Sequence, residues 1–418
     1  MNVIVVILLL AVAVLGLVIW SIKRHKDPHL HLESDLPIDQ LVPSIAGMAL
    51  GMPIAGNTVE IFQNGAFFDA LLEDIGAARH TVHFETFLWK KGRISDRVAD
   101  ALMAKAREGL TVRVLVDAQG TRQMGEDLRQ RLRDGGCQLA LYHPRTLKNL
   151  GVIPERDHRK ITVLDGRTAW VGGHCITDDW LGDAEDRDHF RDISVRLRGP
   201  IVGAVQSAFG ENWVETTGKL FVGEHTFPKL EPAGEVEAHM ASMKPEGSAP
   251  AVKILHHTII CCAKERLWIQ NPYFIPEPDA INAFTAAVKR GVDVRIMVPA
   301  LDASDMKIVQ HAAHYTFQKL LDGGVRLFEY QRTLLHQKVL TVDGVWCAVG
   351  SSNFDDRSFE TNDEITIGFK DAALARKFEE IFSADLKLCR ELQADQWRRR
   401  GLVHKVKDGA VYLFNEVL

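Results

Sequence analysis

The chain has 418 residues, of which 46% are hydrophobic and 25% charged, and a net charge of −5. That length exceeds one ordinary core, so two domains or two fused halves are expected. The mild acidity excludes a global attraction to nucleic acid or anionic lipid and leaves such binding to local basic patches. Six cysteines (Cys137, Cys175, Cys261, Cys262, Cys347, Cys389) show no C-x-x-C or zinc spacing, which argues against structural disulfides and fits a reducing compartment.

The chain opens on an unbroken apolar run from Val3 to Trp20, followed at once by SIKRHK. A helix of that length spans a hydrocarbon core of about 30 Å at about 1.5 Å per residue. No basic region precedes the run and no small-residue cleavage site follows it, so a membrane anchor is favoured over a signal peptide. Lys23, Arg24 and Lys26 all lie after the run, which places the body of the chain in the cytosol. We assign 1–26 to a single-pass anchor with its basic flank and 27–56 to a linker. Within that linker, the apolar stretch LVPSIAGMALGMPIAG (41–56) either lies in the membrane interface or packs on the body.

From Asn57 the pattern is a strand, an Asn64-Gly65 turn, an amphipathic helix and a second strand (TVHFETFLW). A helix through DRVADALMAKAREG and the apolar strand TVRVLVDA follow. The later chain repeats this order: HHTIICCAKERLWIQ reads as helix then strand, AINAFTAAVKRG as helix, and VDVRIMVPA as buried strand. RDGGCQLALY at 133–142 is answered by LDGGVRLFEY at 321–330. Alternating strands and helices predict α/β layers on a mostly parallel sheet. Self-similarity at half the chain length predicts two fused copies about a pseudo-twofold axis. The halves are 57–227 and 251–397, joined by 228–250 with a probable first strand EAHMAS, and a basic tail covers 398–418.

The strongest signal is HRKITVLDG at 158–166, repeated as HQKVLTVDG at 336–344. On a strand, side chains two apart face the same side, so each copy offers one imidazole and one ammonium to a shared pocket. His158, Lys160, His336 and Lys338 together suit an anion with several oxygens, such as a phosphodiester. Two such imidazoles can divide the work, one attacking phosphorus while the other donates a proton to the leaving oxygen. The lysines supply the positive charge, so neither a metal nor a cofactor is required. Asp165 and Asp343 close each motif as turn residues. Asp192 and Glu364 each begin a later β-like run and are suited to accept a hydrogen bond from an imidazole. Glycines follow each copy at matching places, in VGGHCITDDW and VGSSNFDDRS.

These residues resemble the phospholipase D superfamily, and within it the bacterial cardiolipin synthases, over about Asn57 to Trp397. The resemblance implies two α/β/α sandwich halves with one active site between them. It implies His158 as nucleophile forming a phosphatidyl-histidine, and His336 as the acid and later the base. Lys160, Lys338, Ser351 and Asn353 would hold phosphate oxygens, with Asp192 and Glu364 as orienting carboxylates. It further implies a phosphatidylglycerol substrate, no nucleic-acid partner and a bacterial inner membrane. The near-symmetric sequence itself leaves the choice of nucleophile, and the oligomeric state, open. The first half departs from the family in having Cys175 where an asparagine is usual. We read Cys175 as a small buried core residue, with His174 a candidate replacement donor.

His256-His257 and His311 with His314 fall on predicted helices with no carboxylate or cysteine pattern to complete a metal site, so they read as satisfied histidines. Glu85 lies near a strand end, either approaching the cavity or pairing locally. The basic stretch WRRRGLVHKVK (397–407) reads either as a contact for anionic headgroups or as a solvated helix face. Three functions follow: a transferase making cardiolipin from two phosphatidylglycerols, a hydrolase or nuclease with the same machinery, and a lipid-binding scaffold. The acidic charge and anchor argue against a nuclease. A scaffold has no need of two paired proton-transfer groups.

Overall fold

A computed structural model describes residues 5–7, 10, 13, 14, 16, 30, 32, 34, 36–144, 155–245 and 250–415. Most of the predicted anchor at 3–20 and its basic flank lies outside the described residues. Among those described, no helix is long and apolar enough to cross a membrane.

Helix α1 (Ile38–Met48) comes first and packs one face of the stretch at 41–56 on the body. Its Ile38, Leu41, Val42 and Ile45 join the core, while Met48, Leu50 and Met52 stay exposed. The first half then runs β1 (Ile54–Gln63), α2 (Ala66–Ala77), β2 (Thr81–Thr86), α3 (Arg93–Arg107), β3 (Thr111–Asp117), α4 (Glu126–Asp134) and β4 (Gln138–Tyr142). It continues with β5 (Arg156–Asp157), β6 (Ile161–Leu164), β7 (Thr168–Gly172), β8 (Ile193–Arg198) and α5 (Ile201–Thr217).

The second half repeats the order. It has β9 (Val236–Met243), α6 (Ala251–Cys262), β10 (Arg266–Gln270), α7 (Pro278–Lys289), β11 (Asp293–Pro299), α8 (Lys307–Asp322) and β12 (Arg326–Tyr330). Then come β13 (Val339–Val342), β14 (Trp346–Gly350), a π-helical turn (Arg357–Thr361), β15 (Asn362–Lys370) and α9 (Ala372–Leu386). β16 (Cys389–Glu391), α10 (Ala394–Arg398) and α11 (Leu402–Tyr412) close the described chain.

All strands but β5 form one continuous sheet, ordered β16-β12-β11-β10-β13-β14-β15-β9-β1-β8-β7-β6-β2-β3-β4. The junction of β9 with β1 is the centre of the duplication. The mostly parallel sheet we expected is corrected here. Parallel pairing is confined to β2-β3-β4, β10-β11-β12 and the short β5-β15 ladder, and the other pairs are antiparallel. The physical reason is the connection: helices carry the chain back for a parallel strand, whereas β6-β7 and β13-β14 are tight hairpins. Both hairpin turns place Asp165 and Asp343 at φ 52°.

Alternation along the strands builds the layers. In β2, Val82 and Phe84 enter the core under α2–α4, whereas His83 and Glu85 face α5, bonding Gln206 and Asn212 at 2.9 and 3.0 Å. α5 and α9 share the opposite face, where Val205, Phe209 and Phe378 pack with Val195, Val349 and Ile367 from both halves. This shared core fixes the two halves against each other.

Candidate active site

The His-x-Lys residues lie one step outside the strands on which they were expected: β6 and β13 start at Ile161 and Val339, just after each lysine. What positions each histidine is the opposite half. β5 pairs in parallel with the start of β15, and the His158 amide donates to the Asp363 carbonyl at 3.0 Å. In the other copy, Leu335 bridges Arg191 and the His336 amide donates to the Arg191 carbonyl at 2.8 Å. Asp363 and Arg191 each immediately precede a carboxylate, so every histidine enters beside the other half's acid.

The side chains follow that exchange. His158 Nδ1 lies 2.9 Å from Glu364 Oε1, and His336 Nδ1 lies 2.7 Å from Asp192 Oδ2. A carboxylate only accepts, so both Nδ1 atoms carry the proton and each Nε2 keeps its lone pair. All four groups are buried. Lys160 Nζ donates to the His158 carbonyl at 2.5 Å and lies 5.2 Å over the Phe87 ring. Lys338 Nζ donates to the His336 carbonyl at 2.7 Å and sits 3.0 and 2.9 Å from the ring nitrogens.

Burial, with the charges of both Lys160 and Lys338, lowers His158 to about 4 despite Glu364. Burial and Lys338 lower His336 to about 3 against the pull of Asp192. The crossed hydrogen bonds bring the His-x-Lys pairs of the two halves together, and each imidazole feels the lysine of both halves. Burial also lowers Lys338 to about 7, with Lys160 adding to the effect and Asp192 opposing it. Burial alone would raise Glu364, yet His158 and Lys160 hold it near 2. Asp192, equally buried, is held well below the usual range by His336. The resting site is two anionic carboxylates under two imidazoles that burial biases toward neutrality.

The glycine stretch that follows differs between halves. Gly173 corresponds to Ser351, and a Cβ at Gly173 would meet the Asp192 carboxylate oxygens at 2.3 and 2.5 Å. Ser351, expected among the phosphate-holding residues, instead directs its hydroxyl to Glu364 and accepts from the Ile365 amide at 3.1 Å. Asn353 keeps a buried carbonyl oxygen without a partner among the described residues. Cys175 is buried with its thiol 3.8 Å from the Gly173 carbonyl, and burial raises its pKa. His174 is not a free donor, since its ring nitrogens meet Ser194 Oγ at 2.7 Å and the Asn64 carbonyl at 2.9 Å.

Two supporting residues were missed. Trp180 Nε1 donates to Asp192 Oδ2 at 2.7 Å, and Ser358 Oγ donates to Glu364 Oε1 at 2.8 Å. Both stand eight positions after an equivalent glycine, Gly172 or Gly350, so the repeat itself carried the signal. Glu85 lies beneath the site beside Asp157 and accepts from Asn212, and burial raises it to about 7. Asp165 and Asp343 do not approach the cleft. Each caps three successive amides, at Arg79–Thr81 and Lys264–Arg266, with bonds of 2.7 to 3.0 Å. His256 bonds the Val252 carbonyl at 2.7 Å. His311 does have a carboxylate the spacing did not reveal, Asp408 at 2.8 Å, with His314 nearby. Arg400 already occupies the other Asp408 oxygen at 2.8 Å, so the group forms an ion-pair network.

The family described as "Cardiolipin synthase, PLD-like domain" matches residues 71–194 and 257–386. Cardiolipin synthase 2 of Bacillus anthracis is 30% identical over 373 residues, 88% of this chain and 72% of that protein. The major cardiolipin synthase ClsA of Bacillus subtilis (strain 168) is 30% identical over 367 residues, 87% and 76% of the two chains. Among solved structures, a phosphatidylserine synthase from Haemophilus influenzae Rd KW20 superposes with a TM-score of 0.68, covering 86% of this chain and 95% of that one. Its 14% identity makes it a likeness of fold.

Proposed function

We propose that this chain, which belongs to the cardiolipin synthase family of phospholipase D-like proteins and is a phosphatidyltransferase of that superfamily, joins two phosphatidylglycerols into cardiolipin and releases glycerol. The observation that carries this reading is the pair of carboxylate-pinned imidazoles, each bonded across the two halves and each with a lysine beside it.

In the first step His158 Nε2 attacks phosphorus, the bond to the glycerol oxygen breaks, and His336 gives that oxygen a proton. His336 must be protonated for this. The arriving phosphodiester anion offsets the lysine charges and raises its basicity. Lys160, Lys338 and the Asn353 amide take the non-bridging oxygens, where charge grows in the transition state. Glu364 stabilises the cationic phosphatidyl-imidazole as the Asp of a Ser-His-Asp site stabilises its imidazolium. In the second step His336 takes the proton from a hydroxyl of another phosphatidylglycerol, whose oxygen displaces His158. Hydrolysis uses the same steps with water as acceptor. The run at 3–20 serves as the membrane anchor that presents the site to its lipid.

The test supplies purified protein with phosphatidylglycerol in membranes and a chelator. Cardiolipin with stoichiometric glycerol supports the reading. Phosphatidic acid as the sole lipid product overturns it in favour of a hydrolase.

A further inference from the structure

The duplicated fold permits a comparison of the two outer helical layers, and they differ in surface chemistry. In the first half, α4 turns ion pairs outward: Arg131 bonds Asp96, and Arg133 bonds Glu126 at 2.9 Å. Its counterpart α8 begins with Met306 and Ile308 exposed, at 43% and 49%. Beside it lies α11, a helix with no counterpart among the described residues of the first half, exposing Leu402, Val403 and Val406 at 76%, 80% and 62%.

Two contacts set the register of these helices. His311 bonds Asp408 at 2.8 Å, and Tyr315 stacks on Tyr412 with ring centroids 4.4 Å apart. Both numbers rise by four between the contacts, so the helices run parallel, and one turn back brings residues 404–405 alongside 307–308. The five exposed apolar side chains therefore lie at one level, at the N-terminal ends of both helices, with Leu402, Val403 and Val406 on the face of α11 turned away from α8. Lys307, Lys405 and Lys407 stand among them.

Two hydrogen bonds link that end of α8 to the neighbourhood of Asn353. The loop entering it carries Asp305, which accepts from Tyr273 Oη at 2.6 Å. The Tyr273 carbonyl in turn accepts from the amide of Phe354, next to Asn353, at 3.2 Å. Exposed apolar side chains interspersed with lysines fit an anionic lipid surface: the apolar groups leave water and the lysines meet headgroups.

We propose that the N-terminal ends of α8 and α11 form a docking surface for an anionic bilayer, which seats this end of the second half on the membrane independently of the N-terminal run. This deepens the proposed function, since it names the surface through which the lipid substrate reaches that site.

The test uses the full chain. Val403→Cys carrying an environment-sensitive fluorophore is reconstituted with vesicles of equal phosphatidylglycerol and phosphatidylcholine containing a spin-labelled lipid quencher, with label on the parent chain subtracted. Quenching at position 403 is expected. Lys405→Gln with Lys407→Gln should weaken it, each lysine contributing about five-fold. In the activity arm, Val403→Asp with Val406→Asp should raise KM for phosphatidylglycerol in vesicles about ten-fold and leave turnover of a monodisperse short-chain phosphatidylglycerol unchanged. An unquenched probe, or an equal effect on both substrates, overturns the proposal. Should the double variant misfold, Leu402→Asn is read in the same way. Product identity in the same samples scores the transferase reading separately, because quenching at 403 does not depend on which product forms.

Discussion

Glu364 holds the Nδ1 proton of His158 across 206 positions of chain, and Asp192 does the same for His336 across 144. Each histidine–carboxylate pair is thus assembled from both halves, and neither half contains a complete one. The crossing predicts which ring each acid controls. Glu364→Gln should lower turnover roughly 10²–10⁴-fold, the range for an orienting carboxylate whose loss permits the wrong tautomer. Nitrogen-15 spectra of histidine-labelled protein should show the His158 Nδ1 signal displaced and that of His336 in place. Asp192→Asn should do the reverse. The opposite pattern would mean that each half orients its own ring.

The second prediction separates the aspartates of the repeated motif from its chemistry. Asp165 and Asp343 sit at φ 52° and cap amides at the start of β2 and β10. Asp343→Ala should cost about 1–3 kcal/mol of stability through the lost charge-assisted bonds. For a chain of this size that is a shift of about 1–3 °C in Tm. Turnover of the folded fraction should change by less than about three-fold. A collapse of kcat at unchanged Tm would return the residue to the active site.

How much of this was legible in the sequence depends on how local each feature is. The His-x-Lys pairs, the two carboxylates and the duplication are carried by spacing along one chain, and side-chain alternation translates that spacing into a shared face. Trp180 and Ser358 were equally available through their matching offsets and went unread because the two residue types differ. The crossing of His158 with Glu364 was not available. Strand periodicity says which face a residue takes, but not which strand lies beside it. The antiparallel centre of the sheet escaped for the same reason. Asp408 as partner of His311 needed the docking of α11, a contact that no periodicity encodes.

Cys175 offers a third test. It occupies the place of Asn353 in the duplicated site, yet burial raises its thiol despite the nearby lysines, so no thiolate is available at neutral pH. Cys175→Ala should retain turnover within about three-fold and lose about 1 kcal/mol, the cost of a small core cavity. Cys175→Asn should remain active as well. Loss of activity in the alanine variant with an unchanged Tm would make the thiol a substrate contact.

A fourth prediction concerns membrane association. Deleting residues 1–26 should move much of the protein from the membrane to the soluble fraction. The remainder should be held by the weaker lysine-assisted surface on α8 and α11, and should be released by raised salt, because exposed charges are screened within about 8–10 Å. Truncated protein that stays bound through high salt would show that the terminal run is not the principal anchor.

The last prediction is the pH profile, whose sign follows from His158, lowered to about 4, and Lys338, lowered to about 7. His158 must be unprotonated to attack, and burial has lowered it to about 4, so on the acid side kcat should fall as pH drops through that region. Lys338 must be protonated to meet the phosphate, and its lowering to about 7 means that the ammonium is lost as pH rises through neutrality. With substrate bound, kcat should therefore follow a bell with limbs at or above about pH 4 and 7. The phosphodiester raises these groups and lifts the general acid His336 above the value of about 3 it has without substrate. The alkaline limb is assigned to the lysine rather than to that acid. Lys338→Arg discriminates between the two assignments. A guanidinium stays charged throughout, so the limb should move upward by more than a unit even though geometry lowers the maximum rate. If the limb remains near pH 7 in that variant, the titrating group is His336 in the substrate-bound site, and Lys338 stays an ammonium throughout the working range.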